Sequence, residues 1–293
     1  MKTPIPRRRA FRTLAQGAAA AAVAADLGRR VAAAERVGGL KGRINHSVCR
    51  WCYGRIPLEE LCRASREMGI SAIDLLGLEE IPTAKRFDLE CSMVSGIPGG
   101  IERGLNRAAN HEGIQKWFEE AAPKVAALGC KNVICFSGNR AGMSDEEGIE
   151  QCTAGLKKLL PIAERHDLVL VMELLNSRVD HRDYMCDRTP WGVELCRQVG
   201  SERFKLLYDI YHMQIMEGDL IRTLRASAPY IAHYHTGGVP GRNEIDESQE
   251  IYYPAVMRAI LETGFKGYVA QEFIPKREDA LGSLAQGVRI CDV

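Results

Sequence analysis

Eight short runs rich in β-branched and apolar residues, evenly spaced and separated by stretches of helical periodicity, constrain this chain more than any other feature. They are Ile44–Cys49, Ala72–Leu76, Cys91–Val94, Asn132–Phe136, Leu168–Glu173, Lys205–Asp209, Ile231–His235 and Gly267–Glu272. Each is too short for a helix and too uniformly apolar for a one-sided antiparallel strand, so each reads as a strand covered on both faces. Between them, Leu58-Leu61-Cys62 with Ser65, Ile114-Trp117-Phe118-Ala121, Ile149-Cys152-Leu156-Leu159-Leu160 and Ile251-Val256-Ile260 repeat at helical spacing. Gly69, Gly129, Gly200 and Gly264 stand where a helix stops before the next strand.

Strand and helix alternating once per roughly 30 residues is the economy of a (β/α)8 barrel. An open doubly wound sheet is the alternative, but no G-x-G-x-x-G follows the first run, and eight even units favour closure. The second unit is the weakest, because Pro82 within Glu79–Arg86 leaves room for only a short helix. Residues 35–293 therefore read as one α/β domain, a single barrel.

Residues 1–34 stand apart from that pattern. Arg7-Arg8-Arg9-Ala10-Phe11-Arg12, an alanine-rich stretch to Ala25 and the small-residue site Ala32-Ala33-Ala34 resemble an export signal of the twin-arginine type. A periplasmic or otherwise exported protein is expected. An amphipathic helix at the base of the barrel is the competing reading. Stable membrane insertion is not expected, since the apolar stretch is alanine and short for a bilayer.

Without that segment the chain keeps 32 basic and 37 acidic residues, a net charge of −5. The sign argues against a partner that presents a phosphate backbone, so nucleic acid is not expected. The 10 cysteines are scattered, mostly in apolar runs, and read as small core residues. Cys49-Arg50-Trp51-Cys52 has no second pair at zinc spacing.

A barrel of this type works from the C-terminal ends of its strands. Run five ends in Glu173, run six in Asp209, run seven in His235 and run eight in Glu272. Alone, Asp209 is explained as a helix cap and Glu272 as a rim charge. His233, one pleat deeper than His235, reads as a hydrogen-bonded inner-layer residue. Together, three converging carboxylates repel unless a cation joins them. Three carboxylates and one imidazole favour a hard or borderline divalent ion with open positions, Mn2+ or Mg2+ first, with Co2+ or Zn2+ tolerated.

The segments Glu173-Leu174-Leu175-Asn176, Asp209-Ile210-Tyr211-His212-Met213-Gln214, Val239-Pro240-Gly241-Arg242 and Gly267-Tyr268-Val269-Ala270-Gln271-Glu272 resemble motifs of the hydroxypyruvate isomerase family. That family lies within the xylose-isomerase-like TIM-barrel superfamily, alongside ketose 3-epimerases and endonuclease IV. The resemblance implies Glu173, Asp209, His235 and Glu272 as metal ligands, Glu173 and Glu272 also as the proton-transferring pair, and His212 and Arg242 as contacts to substrate oxygens. There are departures. Gln usually stands at the His235 position in hydroxypyruvate isomerases, and His in the 3-epimerases; Glu-Pro is usual where this chain has Glu173-Leu174; and Asn243–Gln249 replaces a glycine- and proline-rich segment.

The expected chemistry moves a proton at an α-hydroxy carbonyl through an enediolate, on a small sugar or hydroxy-ketoacid. Trp51, just past the first run, is expected as an apolar wall for the substrate's carbon chain, with core packing as its alternative. Two other classes compete: an endonuclease IV-type phosphodiesterase, which needs more rim ligands, and a non-catalytic exported carbohydrate-binding barrel, in which the paired glutamates have no use. A homo-oligomer is left open.

Overall fold

The computed structural model describes residues 39–293, and the expected export segment at 1–34 lies outside them. The strands are β1 (Asn45–Cys49), β2 (Ala72–Leu76), β3 (Glu90–Val94), β4 (Asn132–Cys135), β5 (Val169–Glu173), β6 (Phe204–Asp209), β7 (Ile231–Thr236) and β8 (Tyr268–Gln271). They close in sequence order, with β1 parallel to β8. The architecture is the (β/α)8 barrel that the alternation predicts. Glu272 falls one residue beyond β8 rather than within it.

Helices α1 (Leu58–Glu67), α2 (Ile81–Lys85), α3 (Ala108–Ala127), α4 (Asp145–Arg165), α5 (Thr189–Val199), α6 (Ile210–Met216), α7 (Leu220–Ser227), α8 (Tyr253–Glu262) and α9 (Ala280–Cys291) form the outer layer. The unit containing Pro82 is indeed short, with α2 only 5 residues long. Ile251 precedes α8 instead of starting it, because Pro254 takes an early position in that helix and leaves Ile251 in the loop. The four glycines expected to end helices all adopt positive φ, at 82°, 73°, 64° and 81° for Gly69, Gly129, Gly200 and Gly264, a conformation only glycine takes at no steric cost. At its start α4 is capped by Ser144, whose hydroxyl accepts the Glu147 N–H at 3.1 Å.

The main core lies between the strands and the helices. Phe118, Leu156 and Leu195 are fully buried there, each contributing about 1.5–3 kcal/mol relative to exposure. Inside the barrel the two halves differ. Met93, Ile134, Val171 and Leu207 from β3 to β6 form an apolar layer. Ser47, Asp74 and His233 on β1, β2 and β7, with Ser92 of β3, are buried polar groups. All ten cysteines are free thiols, and all but Cys52 are buried. Burial pushes the Cys135 and Cys186 thiols well above their ordinary range, as packing residues require. Among the described residues no helix is long and apolar enough to cross a membrane.

Candidate metal centre and active site

Strand alternation delivers the site. Val171 on β5 and Leu207 on β6 point into the barrel's apolar layer, so the residues two further along, Glu173 and Asp209, point the same way at the barrel mouth. His235 does so from β7, and Glu272 follows from the turn after β8. These four side chains offer one ligand atom each within 4.8 Å of one another. His235 Nδ1 lies 2.6 Å from Glu272 Oε2 and 3.2 Å from Glu173 Oε1. All four residues are buried.

Such a cluster is electrostatically unsettled. Burial pushes Asp209 up to about 8, against the pull of Arg242. Burial and then the charge of Glu272 raise Glu173. Burial would raise Glu272 as well, but Arg242 and His235 hold it well below the usual carboxylate range. Burial would lower His235, yet Glu272 and then Cys49 and Asp74 outweigh it and lift the imidazole well above its ordinary value. Three carboxylate oxygens and an imidazole nitrogen at this spacing suit a divalent ion.

His212 supplies a second sign of fit. Its Nδ1 lies 2.6 Å from the Asn176 amide nitrogen. The Asn176 oxygen accepts the Val179 and Asp180 N–H groups at 2.9 and 3.0 Å. The amide orientation is therefore fixed, Nδ1 must accept, and Nε2 must carry the proton. That N–H is buried and has no hydrogen-bond partner; Asp209 Oδ2, 3.6 Å away, is beyond hydrogen-bond reach. Burial, and then Arg242, hold His212 well below its ordinary value, so it stays neutral. A buried donor left over beside a carboxylate cluster is what an oxygen-rich ligand would satisfy.

Arg242 and Trp51 close the site on the loop side. Arg242 Nη2 pairs with Asp209 Oδ2 at 3.0 Å and with Glu272 Oε2. Its guanidinium lies between two rings, 5.2 Å from the Trp51 centroid and 5.4 Å from that of Tyr211. Trp51 is 46% exposed, and its indole N–H donates to Glu272 Oε1 at 2.8 Å. It also lines a groove of about 910 Å3 shared with Arg55, Ile274 and Lys276. Trp51 is thus at the site and not in the core.

The structure brings together every residue expected at the site: Glu173, Asp209, His212, His235, Arg242, Glu272 and Trp51. It adds Asp74, Asn176 and Tyr211, which reading the last residue of each run does not reach. Asp74 lies two residues before the end of β2 and 2.9 Å from His235 Nε2. Burial would raise its carboxyl, but His233 and His235 hold it well below the usual range. Asn176 is visible in its motif, where nothing marks its amide as setting a tautomer. His233 is fully buried as an inner-layer residue, but it is not hydrogen-bonded as expected: Nε2 lies 3.1 Å from Asp74 Oδ1 without the alignment of a hydrogen bond, and Nδ1 has no partner.

Comparison with known proteins places the barrel in a family. The model of the xylose isomerase-like TIM barrel family matches residues 59–290. Hydroxypyruvate isomerase of Escherichia coli is 31% identical over 157 residues, covering 53% of this chain and 60% of its own. A 2-oxo-tetronate isomerase of Pectobacterium atrosepticum is 23% identical over 242 residues, covering 78% and 91%. Among solved structures, a family 2 AP endonuclease of Brucella melitensis superimposes with a TM-score of 0.76 at 22% identity, covering 84% of this chain and 99% of that one. A 3-keto-D-glucoside 4-epimerase of Escherichia coli gives 0.71 at 18% identity, covering 84% and 98%. At these identities the structural likeness concerns the fold.

Proposed function

The chain belongs to the xylose isomerase-like TIM barrel family, and from that membership we propose that it is a metal-dependent isomerase or epimerase acting on an α-hydroxy carbonyl compound. The observation that carries the reading is the buried convergence of Glu173, Asp209, His235 and Glu272 within 4.8 Å. The similarity to hydroxypyruvate and 2-oxo-tetronate isomerases supports the substrate class, a small hydroxy-ketoacid or sugar.

Those four side chains would hold the ion, Mn2+ or Mg2+ by donor type. Bound there, the ion would supply Lewis-acid polarisation of an α-hydroxy carbonyl substrate. Glu173 ends β5 and Glu272 follows β8, so one removes the proton beside the carbonyl and the other delivers one to the neighbouring position or the opposite face. The His212 Nε2–H donates to a substrate oxygen. Arg242 offers the guanidinium that a carboxylate or hydroxyl terminus recognises, and the exposed Trp51 ring covers the carbon chain.

Epimerisation of a ketose at C3 is the second reading. It is favoured by His235 itself, since an imidazole at this position resembles the 3-epimerases more than the hydroxypyruvate isomerases. Incubation with Mn2+ in D2O, followed by NMR on hydroxypyruvate and on a panel of ketoses, separates the two and tests both. Deuterium entering at the carbon beside the carbonyl is expected, and Glu173→Gln and Glu272→Gln should each lower the rate by about 10²–10⁴-fold. Full turnover in either variant, or no exchange with any α-hydroxy carbonyl compound, would sink the proposal.

A further inference from the structure

We propose that Asp74 is the positioning residue for the metal centre: it holds His235 in the single tautomer and ring orientation that present Nδ1 to the ion. This rests on the metal-dependent reading above and concerns a residue outside the four ligands. His235 has two ring nitrogens with opposite surroundings. Nδ1 faces Glu272 at 2.6 Å and Glu173 at 3.2 Å, whereas Nε2 faces Asp74 Oδ2 at 2.9 Å. A nitrogen that ligates a metal carries no proton, so the other keeps one and needs an acceptor. Asp74 is that acceptor, and it is fully buried.

Asp74 is in turn fixed from several sides. The Ser92 hydroxyl donates to Oδ1, and His233 Nε2 packs 3.1 Å from the same oxygen without an aligned hydrogen bond. The Cys49 thiol donates to Oδ2 at 3.4 Å. Ser92 Oγ also lies 3.0 Å from Ser47 Oγ, which anchors the group to β1. The backbone adds an independent sign. The β2–β3 register shifts on both sides of Asp74, and Leu75 adopts φ of 56°. A branched apolar residue in the left-handed region is strained, and bulges of this kind re-aim a neighbouring side chain. The chain tolerates that strain immediately beside a carboxylate aimed at a metal ligand.

One rival uses the same atoms. Cys49, Asp74 and His235 also form a compact ligand group, which would take a second, thiophilic ion with His235 bridging the two. The hydrogen-bonded thiol and the fixed Asp74 favour the positioning role.

The test is Mn2+ titration of the full chain, by calorimetry and by the EPR signal of free Mn2+, alongside melting in EDTA. Wild type is expected to bind one ion. Asp74→Asn sets an amide donor against donors on one side, and it should weaken Mn2+ binding about 10–100-fold with little change in the EDTA melt. In a His235→Ala background the same substitution should change affinity less than about twofold, because Asp74 acts through His235. An equal loss in that background would reduce Asp74 to a structural residue and overturn the proposal. So would unchanged affinity in Asp74→Asn, or two ions per chain with one lost in Cys49→Ser. Should Asp74→Asn fail to fold, 15N NMR of histidine-labelled wild type loaded with Zn2+ decides: a protonated Nε2 at His235 supports the proposal and a bare Nε2 refutes it. Wild type binding no ion at all would instead overturn the metal-dependent reading, and this inference with it.

Discussion

His212 presents its Nε2–H to the site because Asn176 leaves it no other tautomer. The amide oxygen is committed to two backbone N–H groups, so the group within hydrogen-bond reach of Nδ1 is a donor, while the Asp180 carboxylate stands off at 3.9 Å. Asn176→Asp reverses that polarity. A carboxylate draws the proton to Nδ1 and turns Nε2 into an acceptor facing the carboxylate cluster. Exchanging a buried donor for a mismatched acceptor costs about 1–3 kcal/mol, so KM should rise about 5–150-fold with a smaller change in kcat. Steady-state kinetics check this, and an unchanged KM would show that His212 does not touch the substrate. Residue type at a strand end was enough to find Glu173, Asp209, His235 and Glu272, because each type is costly to bury without a partner. The role of Asn176 was not legible. An amide is ordinary in a loop, and its meaning depends on which atom faces a histidine 36 residues away.

At the scale of elements, the loops after β7 and β8 are stitched into one wall. The Ile274 N–H donates to the Arg242 carbonyl at 2.7 Å, and the Asn243 amide to the Ile274 carbonyl at 2.9 Å. Glu244 is the knot. It is buried, and one oxygen accepts the Lys276 and Arg277 N–H groups at 3.0 and 3.1 Å and the Ser283 hydroxyl at 2.9 Å. Burial would raise this carboxyl, yet the Arg277 N–H and its other donors hold it below the usual range. A depressed folded-state value means the contribution is complete above the unfolded value of ~4.3 and is lost as pH falls through the folded one. Glu244→Ala should cost about 2 kcal/mol, measured by urea denaturation at pH 7. The difference from wild type should shrink on acidification. A difference that grows in acid would show that Glu244 does not act as a carboxylate. The segment Asn243–Gln249 departs from the family pattern in sequence, and the pattern alone could not indicate that it carries this knot. Asp74 escaped for a related reason: register shifts flank this mid-strand residue, whose carboxylate lies beside His235, and sequence periodicity assumes an unbroken pleat.

The barrel as a whole was legible because its strands are short, doubly covered and regularly spaced, so each leaves a local mark. Less visible was the division of its interior. β3 to β6 supply an apolar layer, while β1, β2 and β7, together with Ser92 of β3, supply the serine, aspartate and histidine network around Asp74. On the proposal that the polar half sets the orientation of His235, filling that network with hydrocarbon should cost metal binding before it costs the fold. We propose, from the resemblance of residues 1–34 to a twin-arginine signal, that this segment directs export, a reading that belongs to the scale of the whole chain. Replacing Arg8 and Arg9 together with lysine should leave the protein in the cytoplasm with its activity intact, as fractionation would show. Unaltered export of that variant would remove the twin-arginine reading. The most direct measurement is anomalous scattering from crystals grown with Mn2+. One peak per chain is expected, within bonding distance of Glu173, Asp209, His235 Nδ1 and Glu272. A chain with no peak there, or with Mn2+ bound elsewhere while Arg242 keeps both Asp209 and Glu272, would contradict it.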